Sequence, residues 1–418
     1  MSNTAWIKSL ELLAGNAAVT TDGAALESHA IQGVKPACVC SPESPVHAAA
    51  VIKFAAQNKI AVLPRGGGTG QGIGSVPPAN AIVLSTRRFS ALIAHEPEDM
   101  VATVQAGMTL GDFQETLAKN GQWLPLEGDP HSTIGGLIAT DRSGPRALGY
   151  GTLRDMVLGM TVINGDGVLR KCGGKVVKNV TGYDLSKLYI GSLGTLGVVT
   201  EVTFKLRPLP IERNCWQIGG DDISETIQTA LKIDALNLPL EGIVFGESLG
   251  LLDIKDFHEF PPSGIYVVAA GTKVELDRIG REIVAITPKP VRRELPKSAP
   301  LSCICEASRK PGAQKTASAT VRFWCVRSVL PTVLGMSKRP MSAVLTPGGG
   351  SFSIGESEDV KALEASLQQA GVNYRFEDVR GLKIDQPFGP PRPEWALMKQ
   401  IRAALDPQGV MNSGRFVV

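Results

Sequence analysis

Three glycine-rich segments carry the clearest chemical signal in this sequence. They are residues 65–70 (RGGGTG), 133–136 (TIGG) and 191–199 (GSLGTLGVV). Because glycine has no Cβ, the main chain at such a segment can lie against a phosphate and direct several N–H groups at it. The first segment follows the apolar, strand-like residues 60–64, a usual position for a phosphate-binding loop. One such loop is a weak signal, but three in this order predict a chain folded around a dinucleotide.

Two other phosphate-binding motifs do not fit the sequence. No G-x-G-x-x-G opens a helix with an acidic residue ~20 positions later, and no G-K-[ST] follows the first glycine run. More than half of the 46 glycines lie between Gly66 and Gly197. We therefore expect the dinucleotide site in the amino-terminal half of the chain.

Length and composition are those of a globular protein with two or three domains. The chain has 418 residues, of which 43% are hydrophobic and 20% are charged. The net charge of +3 is too small to indicate binding to nucleic acid or to an anionic membrane. No apolar run reaches transmembrane length, and the amino terminus lacks the pattern of a signal peptide. Seven scattered cysteines are typical of a reducing compartment, so we expect a cytoplasmic protein.

Two C-x-C pairs, Cys38 with Cys40 and Cys303 with Cys305, raise the question of a metal site. Their spacing does not suit zinc or an iron–sulfur cluster, which use C-x₂-C or longer ligand sets. Alternation along a strand, with both thiols on one buried face, explains the pairs better. We therefore predict no metal site. Any iron–sulfur cluster that takes electrons from this protein would be held by another polypeptide.

Local patterns predict the elements that position the glycine segments. We expect a helix that begins near Ser44 and Pro45, and a hairpin that turns at residues 164–167. Residues 128–151 are predicted to form a long irregular loop of the kind that is usually functional. The other expected elements are strands at 37–40, 60–63, 81–85, 100–105 and 197–206, and helices at 110–120 and 184–190.

Residues 211–385 contain fewer glycines and alternate between predicted helices and strands. This pattern indicates an antiparallel α+β layer that covers one side of the preceding domain. A further helix is expected to begin at Pro393, and the glycine-bearing tail behind it is expected to dock on another domain. The expected helices are 224–236, 273–286, 329–338 and 358–370, and the expected strands are 321–328, 341–346, 351–354 and 373–379.

Five segments together resemble the vanillyl-alcohol-oxidase or PCMH class of FAD-binding proteins. They are RGGGTG at 65–70, IGG at 134–136, TGYDL at 181–185, GSLGTLG at 191–197 and NSGR at 412–415. Within that class the chain most resembles the FAD-binding E subunits of bacterial glycolate oxidases, over nearly its whole length. The resemblance implies an α+β fold with three parts. These are a two-subdomain PCMH-type FAD-binding domain at 1–210, an antiparallel α+β cap at 211–385, and a carboxy-terminal helix and tail at 386–418 that return to the FAD domain.

The resemblance also implies which residues contact FAD. The first loop would hold the diphosphate through main-chain N–H groups, and the residues after 128 would line the flavin and ribityl chain. Val199 would contact the adenine end, and Asn412 would approach the isoalloxazine. Relatives with covalent flavin have a histidine at the position of Thr69, so FAD is expected to be non-covalent here. The implied set is Arg65, Gly66, Gly67, Gly68, Thr69, Gly70, Asp129, Ser132, Thr133, Gly135, Gly136, Val199 and Asn412.

Oxidation of a 2-hydroxy acid needs a cation for the carboxylate and a base for the hydroxyl proton. The resemblance implies that catalytic members use a histidine-rich metal site near the end of the cap. None of the five histidines here follows His258, so that metal site is absent. His131 is interpreted as a loop residue beside the flavin, with a catalytic base as the alternative. Arg322, on one strand face with Trp324, is interpreted as an exposed arginine, with carboxylate binding as the alternative.

These observations favour an FAD-binding subunit of a glycolate-oxidising complex. It would relay electrons from a catalytic D-like flavoprotein subunit to an iron–sulfur subunit, while the small-molecule 2-hydroxy acid is oxidised to glyoxylate. Membrane contact is expected only on the inner face of the cell membrane, peripherally and through those partners. Two alternatives remain: a self-sufficient FAD-dependent 2-hydroxyacid dehydrogenase that uses Arg322 and His131, and a non-catalytic structural subunit.

Overall fold

The computed structural model of the protein covers most of the chain. It describes residues 3–15, 18–174, 183–220, 222–247, 263–287, 289, 291–293, 318–337, 342–355, 359–382 and 384–417. The pair Cys303 and Cys305 lies outside these residues, as do the first two residues of the TGYDL segment.

Helices and strands alternate along the described chain. The helices are α1 (Asn3–Ala14), α2 (Gly23–Ser28), α3 (Pro45–Asn58), α4 (Leu110–Ala118), α5 (Ile134–Thr140), α6 (Ala147–Tyr150), α7 (Leu153–Met156), α8 (Ser186–Tyr189), α9 (Ile223–Ala235), α10 (Lys273–Ile286), α11 (Leu330–Leu334), α12 (Val360–Gln369) and α13 (Glu394–Leu405).

The strands are β1 (Val19–Thr20), β2 (Cys38–Cys40), β3 (Val62–Arg65), β4 (Ile82–Ser85), β5 (Leu92–Glu96), β6 (Val101–Gln105), β7 (Gln122–Trp123), β8 (Val157–Ile163), β9 (Leu169–Gly173), β10 (Val198–Lys205), β11 (Arg207–Pro208), β12 (Glu212–Gly220), β13 (Leu240–Glu247), β14 (Ser263–Gly271), β15 (Val291–Arg293), β16 (Ser318–Trp324), β17 (Ser342–Thr346), β18 (Gly349–Gly355) and β19 (Asn373–Arg380).

Most of these strands belong to three sheets. A four-stranded sheet has the order β1-β2-β4-β3, with β2 and β3 parallel to β4. A five-stranded antiparallel sheet has the order β5-β6-β10-β8-β9, and an eight-stranded antiparallel sheet has the order β15-β12-β14-β13-β17-β18-β16-β19. The predicted α+β class with an antiparallel second layer is confirmed. The division at 210 and 385 stays a prediction, although the eight-stranded sheet draws only on strands after Pro208.

The eight-stranded sheet has one apolar face and one polar face. Val321 and Phe323 on β16 pack into a core with residues of α9, α10 and α12. Because side chains alternate along a strand, the residue between them, Arg322, points to the opposite face. There it reaches Asp141, which lies 181 positions earlier in the chain. The polar face of this sheet is therefore the one that meets the glycine-rich half.

The tail after α13 lies against β3. The N–H of Val62 donates to the carbonyl of Val410 at 2.9 Å, and the N–H of Asn412 donates to the carbonyl of Val62 at 2.8 Å. Asp406, 2% exposed, ends α13 and accepts from the N–H groups of Val410 and Met411. The tail thereby covers the open edge of β3, directly before the first glycine run.

One expectation about local structure is wrong. Residues 128–151 are not irregular throughout, because they contain α5 and α6. Two adjacent glycines, Gly135 and Gly136, made a helix there unfavourable on propensity alone. The side chain of Thr133 caps α5 by accepting from the N–H of Gly136 at 3.4 Å, and tertiary packing supplies the rest.

The two cysteines of β2 are buried as the alternation predicts. Cys38 and Cys40 belong to one apolar core, and Val39 between them belongs to another. Burial raises the pKa of each thiol to about 12.

We expect these two thiols to resist iodoacetamide in the folded protein at pH 8. A pKa of about 12 leaves a thiolate fraction on the order of 10⁻⁴ at that pH, and the thiolate is the reactive form. Mass spectrometry should find both cysteines unlabelled before unfolding and fully labelled in 6 M guanidinium. Rapid labelling of Cys38 in the folded state would contradict the burial of β2.

Candidate functional site

Two adjacent cavities lie where the glycine segments meet. The smaller has a volume of about 80 Å³ and is lined by all three glycine segments and by the tail. The larger, of about 610 Å³, lies between the loops at 127–132 and 142–145 and the polar face of the eight-stranded sheet. Gly68 and Thr69 line both, so the first glycine run forms the junction between the two spaces. The larger volume is in the range of typical small-molecule sites.

The predicted cofactor-binding residues, together with His131 and Arg322, all line one or both of these cavities. The smaller cavity is lined by Arg65, Gly66, Gly67, Gly68, Thr69, Gly70, Thr133, Gly135, Gly136, Val199 and Asn412. The larger cavity is lined by Gly68, Thr69, Asp129, His131, Ser132 and Arg322. Their individual roles stay predictions.

Asn412 lies on the side of the smaller cavity. Its side-chain amide donates to the carbonyl of Leu193, and the residue is only 9% exposed. It does not line the larger cavity. The expected approach of Asn412 to a ring in the larger space therefore stays a prediction.

The first two glycine segments interlock. A Cβ placed on Gly66 would lie 1.9 Å from Oγ1 of Thr133, and one on Gly67 would lie 2.4 Å from the carbonyl oxygen of His131. The hydroxyls of Thr69 and Ser132 are 2.7 Å apart, so they share a hydrogen bond. Glycine is thus required here for the contact between two loops as well as for access to a ligand.

The first run also presents unused donors. Among the described residues, the N–H groups of Gly68, Thr69 and Gly70 have no protein acceptor, whereas that of Gly67 donates to Thr133 at 3.4 Å. Three such donors in a glycine loop form a concavity suited to an anion. The residues present therefore fit a diphosphate group.

Arg415 positions the chain that follows the first run. Its guanidinium donates to the carbonyls of Gln71 at 2.7 Å, Ile73 at 2.5 Å and Ser75 at 2.5 Å. The residue is 2% exposed, and burial lowers its pKa to about 10, so it stays charged at neutral pH. Sequence reasoning noticed Arg415 only as part of a motif, because its partners lie about 340 positions earlier.

Arg65 also lies beside the smaller cavity. Its guanidinium donates to the carbonyl of Ser28 at 3.0 Å. Burial, together with the nearby charge of Arg87, lowers its pKa. A negative ligand in the smaller cavity would offset both effects, which agrees with the predicted place of Arg65 near a diphosphate.

Two partly buried ion pairs lie at the wall of the larger cavity. Arg142 contacts the carboxylate of Asp378 at 2.5 Å, and Arg322 contacts that of Asp141 at 3.0 Å. The side chain of Arg322 is 16% exposed and lies 4.0 Å from Glu377. Its interpretation as an exposed strand arginine is therefore wrong, because it crosses from β16 to the end of α5. The predicted shared face with Trp324 is confirmed, since the guanidinium lies 5.2 Å from that ring.

Helix α5 places these groups. It ends at Asp141, which adopts a left-handed conformation with φ 50° and donates its N–H back to the carbonyls of Leu137 and Ile138. The reversal directs Asp141 and Arg142 toward β16 and β19. Neither residue was singled out from the sequence, because only the folded chain brings Arg142 and Asp378 together across 236 positions.

A second charged cluster, centred on Glu241 of β13, lies at the same boundary. Glu241, 2% exposed, accepts from Arg213 at 3.0 and 3.1 Å and from the hydroxyl of Tyr150 at 2.8 Å. Arg146 lies 3.7 Å away, and the guanidinium carbons of Arg146 and Arg213 lie 4.6 and 4.4 Å from the ring centroid of Trp123. This cluster joins the eight-stranded sheet to the chain around α6.

His131 is exposed, and its main-chain N–H donates to Asp129 at 2.7 Å. Within the described ranges, no group of three or more His, Cys, Asp or Glu side chains is placed to hold a metal ion. Nor does any described helix combine the length and the apolar character needed to cross a membrane.

Comparison with known proteins agrees with this geometry. Residues 36–173 match the family model described as an FAD binding domain. The chain is 36% identical over 203 residues to D-lactate dehydrogenase of Archaeoglobus fulgidus. This alignment covers 48% of this chain and 46% of that protein. It is 32% identical over 226 residues to glycolate oxidase subunit GlcD of Bacillus subtilis. This alignment covers 53% of this chain and 48% of that protein. The match thus spans about half of each relative.

Solved structures share the fold over almost the whole chain. A 4-ethylphenol oxidase from Gulosibacter chungangensis aligns with a TM-score of 0.77 at 14% identity, covering 98% of this chain and 96% of that one. A p-cresol methylhydroxylase aligns with a TM-score of 0.75 at 16% identity, covering 98% and 95%. Residues 36–173 are therefore an FAD-binding domain, FAD is the cofactor, and the chain as a whole has the fold of these PCMH-type proteins.

Proposed function

We propose that this chain is the FAD-binding electron-relay subunit of a complex that oxidises a 2-hydroxy acid, with glycolate as the substrate and glyoxylate as the product. A catalytic flavoprotein subunit would supply the electrons and an iron–sulfur subunit would take them up. The complex would lie on the cytoplasmic side of the cell membrane, in contact with the bilayer only through the partners. The names of the relatives, among them a glycolate oxidase subunit and D-lactate dehydrogenase, support the substrate class.

One observation carries the division of labour. Within the described part of the chain, two arginines line the larger cavity, Arg142 and Arg322, and both are already paired with carboxylates of the same chain. A hydroxy acid bound beside the flavin needs a cation for its carboxylate. An arginine that is already paired with Asp378 or Asp141 binds a second carboxylate weakly. Among the lining residues that the structure describes, the exposed His131 is the only histidine. These features favour a flavin that receives electrons from another subunit over one that oxidises the acid directly.

The chain's own residues would hold the cofactor rather than the substrate. Bound FAD would supply a two-electron acceptor that can also release electrons singly, as a relay to an iron–sulfur centre requires. The N–H groups of Gly68, Thr69 and Gly70 would bind the diphosphate. Arg415 would keep the loop behind them closed.

The test is anaerobic reduction of the flavin by glycolate. We expect the flavin of the purified chain alone to stay oxidised during a stopped-flow mixing with glycolate, and to be reduced once the catalytic subunit is added. Dithionite must reduce it in both cases, which shows that the flavin is competent. Rapid reduction by glycolate alone would favour the self-sufficient dehydrogenase. A protein that binds no FAD would favour the structural subunit.

We also expect FAD to be released by mild denaturation. Thr69 stands where covalently flavinylated relatives are implied to carry histidine, and its hydroxyl is engaged with Ser132. Acid precipitation should leave the yellow colour, with its band at about 450 nm, in the supernatant. Flavin retained in the pellet would show a covalent link.

A further inference from the structure

Arg142 and Asp378 meet inside the larger cavity, next to the junction with the smaller one. Each side chain is 14% exposed. One terminal nitrogen of Arg142 contacts Oδ1 of Asp378 at 2.5 Å, and the other donates to the carbonyl of Thr69 at 3.5 Å. Nε of Arg142 is buried and has no hydrogen-bond partner among the described residues. The guanidinium thus retains an unused donor.

The charge of Arg142 is held by its neighbours. Burial alone would lower its pKa, but the carboxylates of Asp378 and Glu377 outweigh that effect and raise the pKa above the ordinary value. Arg142 is therefore a cation at neutral pH. The neighbouring Arg322 is committed to Asp141.

The backbone places Asp378 at Arg142. In the pairing of β16 with β19, Thr320 faces Glu377 and Ser318 faces Arg380, so β19 contains an extra residue at this point. Asp378 lies in that bulge with φ 52°, a left-handed conformation that favours Gly, Asn and Asp. Bulges redirect side chains, and this one places a carboxylate on the cavity wall.

We propose that Asp378 determines which ligands the larger cavity accepts. Its carboxylate occupies the guanidinium of Arg142 and thereby excludes small monocarboxylates, such as a 2-hydroxy acid, from the position beside Thr69. This inference deepens the proposed function and rests on it for the class of ligand. It explains why a cavity of about 610 Å³ that has an arginine in its wall would not bind the 2-hydroxy acid.

The physical reason is competition for one cation. In the chain as it stands, a second carboxylate would share Arg142 with Asp378, and two like charges at hydrogen-bond distance repel each other. Removal of the Asp378 charge leaves a largely buried guanidinium that has free donors and has lost its contacting counter-ion, with the weaker field of Glu377 remaining. Such a site gains from binding an anion, because a charge-assisted hydrogen bond is among the stronger polar contacts.

Asp378→Asn is the variant of choice, since asparagine is isosteric and tolerates the left-handed conformation. Asp378→Gly is a second variant that removes the carboxylate without backbone strain. Acetate, which cannot be oxidised at C2, is the probe, and binding is followed by calorimetry and by perturbation of the flavin spectrum. We expect acetate to bind both variants about tenfold more tightly than the original chain, or better. Acetamide, its uncharged analogue, should gain nothing.

Two controls distinguish the effect of the Arg142–Asp378 pair on acetate binding from the effect of a general change in net charge. Glu282→Gln removes the same charge from the exposed face of α10 and should leave acetate binding unchanged. The double variant Asp378→Asn with Arg142→Gln should lose the gain, because the cation itself is gone. Unchanged acetate affinity in both single variants would overturn the inference, and so would equal gains for acetate and acetamide. Reduction of the original chain by glycolate would overturn the proposed function instead, so the two failures are distinguishable.

Discussion

Gly67→Ala is expected to purify largely without FAD and to bind added FAD about 10- to 100-fold more weakly than the original chain. The new Cβ would lie 2.4 Å from the carbonyl oxygen of His131. That atom belongs to the main chain and cannot rotate away, so the two loops must separate. Their separation would displace the free N–H groups of Gly68, Thr69 and Gly70. Absorbance at about 450 nm and a flavin titration measure the effect.

Gly23→Ala is the matched control for this variant. A Cβ at Gly23 meets no atom within 4 Å, and the residue begins α2 on the surface. It should bind FAD like the original chain. Wild-type flavin content in Gly67→Ala would mean that the contact between the first run and residues 131–133 does not shape the cofactor site.

Glu241→Ala is expected to destabilise the protein by about 3 kcal/mol, which corresponds to a fall of roughly 3–4 °C in the thermal midpoint of a chain of 418 residues. Glu241 is buried and neutralises Arg213. Its carboxylate also lies 3.7 Å from the guanidinium of Arg146. Its removal leaves the guanidinium of Arg146, 8% exposed, with less counter-charge, and deprives the hydroxyl of Tyr150 of its acceptor. The cost comes from these stranded groups rather than from the ion pair itself.

Scanning calorimetry of the FAD-loaded protein measures this effect. Glu282→Ala is the control, because Glu282 pairs with Arg278 on an exposed helix face, where ion pairs contribute little. Its thermal midpoint should match that of the original chain. A Glu241→Ala variant with an unchanged midpoint would show that the charged cluster around Trp123 does not hold the eight-stranded sheet to the rest of the protein.

Local patterns predicted much of the fold because the elements concerned are stabilised by near neighbours in sequence. Helix α10 occupies the predicted residues 273–286, since Thr272 and Glu275 form a capping box at its start. The hairpin of β8 and β9 turns at Asn164–Gly167 as expected. Strands β12, β13 and β14 were missed because long-range pairing, not a local turn signal, defines them.

The candidate site divides in the same way. Glycine runs can be recognised in the sequence, because close approach of the main chain to a phosphate requires glycine. The ion pairs of the larger cavity cannot be predicted in this way, because Arg142 and Asp378 come into contact only when β19 is folded beside α5. The error about Arg322 has this origin: a strand residue between two apolar neighbours faces water unless another layer covers that face.

The bonds from Arg415 to residues 71–75 also bear on when the protein can acquire its flavin during synthesis. Arg415 emerges from the ribosome 344 residues after Gln71, which is about 20–70 s later at ordinary rates of translation. Until then the nascent loop lacks the clamp that shapes it. We therefore expect stable loading with the vitamin-derived coenzyme to follow the synthesis of residue 415.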